Sequence, residues 1–146
     1  MTSPDLREGY VRWLRRAAPT LALPLATTAL VQAASTAAWW DDPVPAGGAM
    51  RYLFISVAVA SVVVGRNIRT RDTASTPLDA AAMASLSWKL VVYAIAPVVI
   101  GAVLSIMTRQ VWDYYAMLVV TLVGLWLLFP RYDHWVAWAA TAEGSA

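Results

Sequence analysis

An all-α integral membrane protein, a four-helix bundle with the N- and C-termini both cytoplasmic, is the fold class that this sequence predicts. Three observations lead there. Sixty per cent of the residues are hydrophobic and 14% are charged, against about 25% charged in an ordinary soluble domain, and one core of 146 residues has no room for so much apolar surface. Four apolar runs reach or approach the roughly 20 residues that a helix needs to cross about 30 Å of hydrocarbon. Cationic residues gather beside one set of run ends, and aromatic residues beside both.

The first run covers residues 17–40, carries no charge and stops at Asp41 and Asp42. Arg15 and Arg16 precede it as a topology anchor, and its length exceeds the apolar core of a secretory leader, so a retained span is expected. Asp41 to Gly48 is a loop rich in acid, proline and glycine, which resist helix. The second run, residues 50–65, ends at Arg66 and is short enough to cross with little tilt. Arg66 to Asp79 is the longest polar stretch between runs. It reads as a loop in which Thr76 caps, and Pro77 opens, a short helix leading into the third run. The third run covers 86–107. A tight turn then leads to the fourth, 112–129, which Pro130 closes because proline cannot continue the backbone ladder. Residues 130–146 read as an interfacial tail, with Tyr132, Trp135 and Trp138 turned to lipid and Arg131, Asp133 and His134 to water. No linker or repeat divides the chain, so residues 1–146 form a single membrane domain.

Orientation follows from the lysines and arginines, which favour the cytoplasmic side of a membrane. Arg7, Arg12, Arg15, Arg16, Arg66, Arg69, Arg71, Lys89 and Arg131 fall on one side, and only Arg51 and Arg109 on the other. Tryptophan and tyrosine prefer the two interfaces, where the ring is half apolar and its polar atom stays wet. Tyr10, Trp13, Trp88, Tyr132, Trp135 and Trp138 mark one belt, and Trp39, Trp40, Tyr52, Trp112, Tyr114 and Tyr115 the other. Only Tyr93 and Trp126 fall inside runs.

Chemistry-bearing residues are sparse. The chain has no cysteine and one histidine, His134, which excludes thiol catalysis, disulfides and a haem held by two histidines of one chain. The arginines sit beside apolar runs rather than in a stripe with interleaved aromatics, so nucleic acid is not an expected partner. No run carries an ionisable group near its middle, where one would mark a proton or ion path. Lys89 lies about one turn inside the third run and reaches headgroups by snorkelling. Arg51 and Asp113 open the second and fourth runs on the same side, beside Arg109, and are placed to pair. No catalytic residue, cofactor site or metal site is expected.

Packing signals are better developed. The first run carries alanine at 18, 22, 26, 29, 33 and 37, a spacing that lines one helical face with small side chains and permits close approach of another helix. Ala22, Ala26, Ala29, Ala33 and Ala37, with Gln32 beside them as a hydrogen-bonding group, are the candidate packing face. Ser61 with Gly65 and Gly101 with Ser105 form further small pairs four residues apart. Pro19, Pro24 and Pro97 are expected to bend their helices, and Pro97 to free a carbonyl near Tyr93. Arg66, Arg69, Arg71 and Lys89 are candidate contacts for lipid headgroups.

The stretch Tyr93-Ala-Ile-Ala-Pro-Val-Val-Ile-Gly-Ala-Val-Leu104, a short turn and a run closing in Leu127-Leu-Phe-Pro-Arg-Tyr-Asp-His-Trp135 resemble a group of small uncharacterised bacterial four-span membrane proteins. In that group the third span reads like the carboxylate helix of an ATP-synthase c-type hairpin, with an acid two positions before the proline. Ile95 occupies that position here, so ion translocation does not carry over. The resemblance covers about residues 90–135 and implies a multi-pass protein of the bacterial inner membrane. The function expected from the residues is non-catalytic. It is that of a scaffold or accessory subunit acting by helix packing with other membrane proteins, or by self-association, within the lipid bilayer. The alternative is a small oligomeric transporter or channel for a neutral or lipid-like solute, with Gln32, Tyr93, Pro97 and Gly101 as its polar lining.

Overall fold

A computed structural model describes residues 3–37, 40, 47–75 and 78–143. Among these the only long elements are helices: α1 (Ser3–Leu21), α2 (Leu23–Ser35), α3 (Gly47–Ser75), α4 (Ala80–Thr108), α5 (Val111–Leu128) and α6 (Tyr132–Glu143). Four helical stretches are long and apolar enough to cross a membrane: Asp5–Ser35, Gly48–Thr73, Ala80–Thr108 and Val111–Ala140.

Backbone chemistry accounts for the boundaries. Pro24 has no N–H to give to the carbonyl of Thr20, and Pro19 withholds another a turn earlier, so the first span is interrupted at Ala22 and resumes as α2 with Pro24 in its first turn. The Asp79 carboxylate accepts the Ala82 N–H at 2.7 Å and caps α4, satisfying one of the donors a helix start leaves unpaired. Sequence reasoning placed that cap at Thr76. Thr76 and Pro77 lie outside the described residues, as do Trp39 and the loop residues 41–46. The hairpin from α4 to α5 turns at Arg109, which adopts the left-handed conformation (φ 55°) and donates its N–H to the Ser105 carbonyl.

Two boundaries differ from expectation in a consequential way. The stretch read as a loop from Arg66 continues α3 in helix to Ser75, and α1 is already helical from Ser3. At about 1.5 Å per residue, α3 and α4 are each about 43 Å long, longer than the hydrocarbon core they would cross. Both overshoot at the same end. There α1 up to Arg16, the last turns of α3, the first turns of α4 and α6 with the preceding Arg131 meet, carrying nine of the eleven lysines and arginines; this is the basic end.

Helix α4 is the centre of the bundle. It packs along α5 and α3 and more sparsely along α2 and α1, while α2 and α3 have no comparable contact with each other. Of the most apolar stretch of each span, 56% of residues are buried for α4 and 33% for the fourth span. Only 11% are buried for each of the first two. The first and second spans are therefore peripheral, each laid on the α4–α5 hairpin by one face.

Small residues set the distance of approach. A Cβ on Gly65 would come within 2.7 Å of Leu128 Cδ1 and 3.0 Å of Tyr93 Cβ. One on Gly124 would lie 3.1 Å from Val62 Cγ2 and 3.3 Å from the Ala94 carbonyl. One on Gly101 would overlap Met117 Cβ. Because that atom is fixed to the α5 backbone, Gly101→Ala is expected to force α4 and α5 apart. A loss of about 2 kcal/mol is expected, outweighing the gain of up to about 1 kcal/mol in helix propensity. Thermal unfolding in detergent checks this, with Gly48→Ala, whose Cβ meets nothing within 4 Å among the described residues, as a control in which only the propensity gain acts. Met117→Ala keeps its Cβ and is not expected to rescue the variant.

Candidate functional site

Polar groups inside the bundle occur at three levels. At the end opposite the basic one, the Arg51 guanidinium of α3 grips the Asp113 carboxylate of α5 through Nε to Oδ1 (2.5 Å) and Nη2 to Oδ2 (3.1 Å). Its Nη2 also donates to Gln110 Oε1 at 2.5 Å, and the Thr108 hydroxyl lies 2.7 Å from Asp113 Oδ2. Asp113 is buried at 6% exposure and Arg51 is half-buried. This is a two-pronged ionic tie fastening the start of α3 to the α4–α5 turn. The sequence paired Arg51 with Asp113; it did not point to Gln110 or Thr108, whose polarity in a turn is unremarkable by itself.

One level deeper, the Tyr114 hydroxyl of α5 lies 3.0 Å from Thr27 Oγ1, 2.7 Å from Thr28 Oγ1 and 3.0 Å from the Pro24 carbonyl. Gln32 bonds the Tyr115 hydroxyl. These contacts tie α2 to α5. Threonines in an apolar helix ordinarily bond their own preceding carbonyls, as Thr27 and Thr28 also do, so the sequence carried no sign that they share a tyrosine partner. Tyr114 is 1% exposed, so it turns inward and does not contribute to an aromatic belt.

In the middle of the bundle Pro97 leaves the Tyr93 carbonyl without its helical donor, and the Ser61 hydroxyl of α3 lies 3.3 Å from that oxygen while donating to Ala58 at 2.7 Å. Tyr93 packs on Gly65 and Gly101 on Met117, Pro97 is buried, and Gln32 sits at another helix pair. These four are therefore dispersed among separate contacts. Ile95 is 3% exposed. Ser105 is fully buried and its hydroxyl has no hydrogen-bond partner among the described residues, so it serves there by being small.

The alanine face of the first span points away from the bundle. Ala22, Ala26, Ala29 and Ala33 are exposed and Ala37 is half-buried. The opposite side of the same helices, through Ala17, Pro24 and Val31, is buried. The candidate packing face is thus an outward stripe, and the Tyr114 cluster holds the other face of α2 inward.

At the basic end the tail is not an interfacial strip. Trp135 is completely buried and Trp138 is 7% exposed. Trp135 meets Tyr10 edge-on (centroids 5.6 Å) and Trp13 at 6.3 Å, and its indole N–H donates to Ser87 Oγ at 3.0 Å. Phe129 and Tyr132 join the same cluster. The helix break at Pro130 lays α6 along α1, with Trp135 bonded to Ser87 of α4, so these rings pack on one another. His134 Nδ1 accepts the Arg131 N–H at 3.2 Å, a local cap at the start of α6.

Of the candidate headgroup contacts, Arg66 and Arg71 are exposed. Arg69 turns in and donates to the Leu127 carbonyl at 3.1 Å, where the end of α5 leaves acceptors unpaired. Lys89 lies 3.6 Å from the Asp72 carboxylate, both groups well exposed, which bridges the overshooting ends of α3 and α4.

Fold and polar ties together define a class: a helical bundle with four segments fit to cross a membrane, fastened by an ionic tie at one end and an aromatic cluster at the other. Comparison with protein-family models, with curated proteins and with solved structures returns no match.

Proposed function

We propose that the chain is a multi-pass protein of the bacterial inner membrane, both termini cytoplasmic, that acts without catalysis as a scaffold or accessory subunit by packing helices against other membrane proteins. The observation that carries this reading is the outward stripe Ala22, Ala26, Ala29 and Ala33 on a peripheral span. Helix association in lipid gains nothing from hiding apolar surface. It depends on close backbone approach, which small residues permit. Leucine would satisfy a lipid-facing position as well as alanine, so an alanine stripe there fits a helical partner. The basic end supports a cytoplasmic placement by the positive-inside rule, and the resemblance of residues 90–135 supports the bacterial one.

Because the chain has no cysteine, single Ala29→Cys and Ala33→Cys variants report directly on this face. Expected is a cross-linked membrane-protein adduct at these positions and none at Val57→Cys, on an exposed face of α3. Ala29→Leu with Ala33→Leu is expected to reduce co-purification in mild detergent at least about tenfold, a loss of about 1.4 kcal/mol or more, with the thermal midpoint unchanged. A chain that runs alone as a monomer in several gentle detergents, with no co-purifying membrane protein, overturns the reading.

A further inference from the structure

A second surface, on a different flank of the first span from the alanine stripe, has a shape and charge of its own. Thr20 and Leu23 form one wall of an apolar furrow whose floor is the exposed side of α4, Val92, Ala96, Val99 and Ile100. The furrow holds about 310 Å³ and is open laterally, because α2 and α3 do not close over α4. Toward the basic end α1 carries an open surface hollow of about 400 Å³ between its own exposed side chains Glu8, Val11, Arg12, Arg15 and Arg16.

The two are connected by helical geometry. Residues four apart lie on one face, so Arg12, Arg16 and Thr20 form a single file that leads from the hollow into the furrow. Side chains of a helix lean toward its N-terminus, which carries the Arg16 guanidinium away from the apolar wall and toward the hollow. Glu8 pairs with Arg12 at 2.6 Å and offsets one positive charge. With three arginines and one glutamate, the cluster keeps an excess of two cations.

The dimensions suit one class of ligand. Arg16 stands about 6 Å above Thr20, and the floor from Val92 to Ile100 runs about 12 Å. Half of the hydrocarbon core is about 15 Å. A group bound at the arginines therefore sits at headgroup level, with an apolar channel beneath it that reaches about as far as one leaflet. A free phosphate would use the upper half only, and an apolar solute the lower half only.

We propose that the hollow and furrow form one site for an anionic phospholipid of the leaflet at the basic end, its phosphate held by Arg16 with Arg12 and Arg15, and one acyl chain lying between Leu23 and the α4 floor. The site discriminates by charge at its mouth and by length in its furrow. It does not depend on the scaffold reading, since it lies on another face and requires no protein partner.

Native mass spectrometry of the full chain in a neutral detergent tests the site. The probes are phosphatidylglycerol, phosphatidylcholine with identical chains, and glycerophosphoglycerol without chains. Expected is one retained phosphatidylglycerol per chain. Its preference over phosphatidylcholine should be at least about fivefold, the factor that one arginine near an anionic surface contributes. The chain-free headgroup should bind far more weakly. Arg16→Gln is expected to remove the preference and Arg16→Lys to retain part of it. Ala96→Phe, which fills the furrow, should weaken both lipids. Arg66→Gln, on the exposed end of α3, should change nothing. Equal binding of the two lipids, a preference that survives Arg16→Gln, undiminished binding by Ala96→Phe, or an equal loss on Arg66→Gln each overturns the proposal.

Discussion

Replacing Trp135 by alanine is expected to destabilise the protein by about 3–5 kcal/mol, the range for removing a fully buried large aromatic. Trp135 has no exposed surface and is where three elements converge. It packs with Tyr10 and Trp13 of α1, donates to Ser87 of α4 and belongs to α6. Its ring would also meet a Cβ on Gly9 at 3.5 Å, so α1 has no larger side chain with which to refill the cavity. Loss of the ring should release α6 and the first turns of α1 together, which limited proteolysis at the basic end would register alongside the thermal midpoint. Trp135→Phe separates packing from polarity. It keeps an aromatic ring and strands only the Ser87 hydroxyl, for an expected cost of about 1–2 kcal/mol. A thermal midpoint unmoved by Trp135→Ala would show that α6 does not stabilise the bundle.

The second large effect is expected at the other end. Asp113→Ala removes two of the three side-chain acceptors of Arg51 and one neighbour of Thr108. Breaking a wholly buried ion pair costs about 3–5 kcal/mol. Here the arginine side chain is 35% exposed against 7% for the carboxylate, and Gln110 still accepts from it, so water and the amide recover part of the loss. We expect about 2–3 kcal/mol. Arg51→Ala should cost at least as much, because it strands the less exposed partner. A double-mutant cycle over the two positions should show a coupling of about 1–3 kcal/mol. Coupling below about 0.5 kcal/mol would reclassify the pair as a surface contact without structural weight.

These two ties differ in how visible they were from sequence. Arg51 and Asp113 are charged residues flanking apolar runs, and electrostatics in a low-dielectric setting leaves them few alternatives to pairing. Trp135 was legible as a residue of importance but was turned the wrong way. A tryptophan just beyond a span suits an interface and an aromatic core equally, and only the packing of α6 on α1 decides between them. The Arg66-to-Ser75 helix was missed for a related reason. Three arginines in six residues, Arg66 to Arg71, look like a loop when hydropathy is the guide, yet arginine is a good helix former. Arg69 moreover has a carbonyl at the end of α5 to bond. The same Arg69 shows how a topology signal and a tertiary contact coexist in one side chain.

What composition and pattern determined by themselves was the number and order of helices apolar enough to cross a membrane, the gathering of cations at one end and the places where backbones could come close. Each of these depends on one residue class meeting one solvent: apolar runs and lipid, arginines and headgroups, glycines and neighbouring helices. What only the tertiary structure decided was which face of each helix looks inward. In a soluble protein the hydrophobic face announces itself, but a span surrounded by lipid is apolar on both sides. The choice then falls to shape and to a few polar bonds. Tyr114 with Thr27 and Thr28 turned one face of α2 inward and left Ala22 to Ala33 outside. The open flank of α4 then produced a furrow beneath Arg16 that no linear pattern marked.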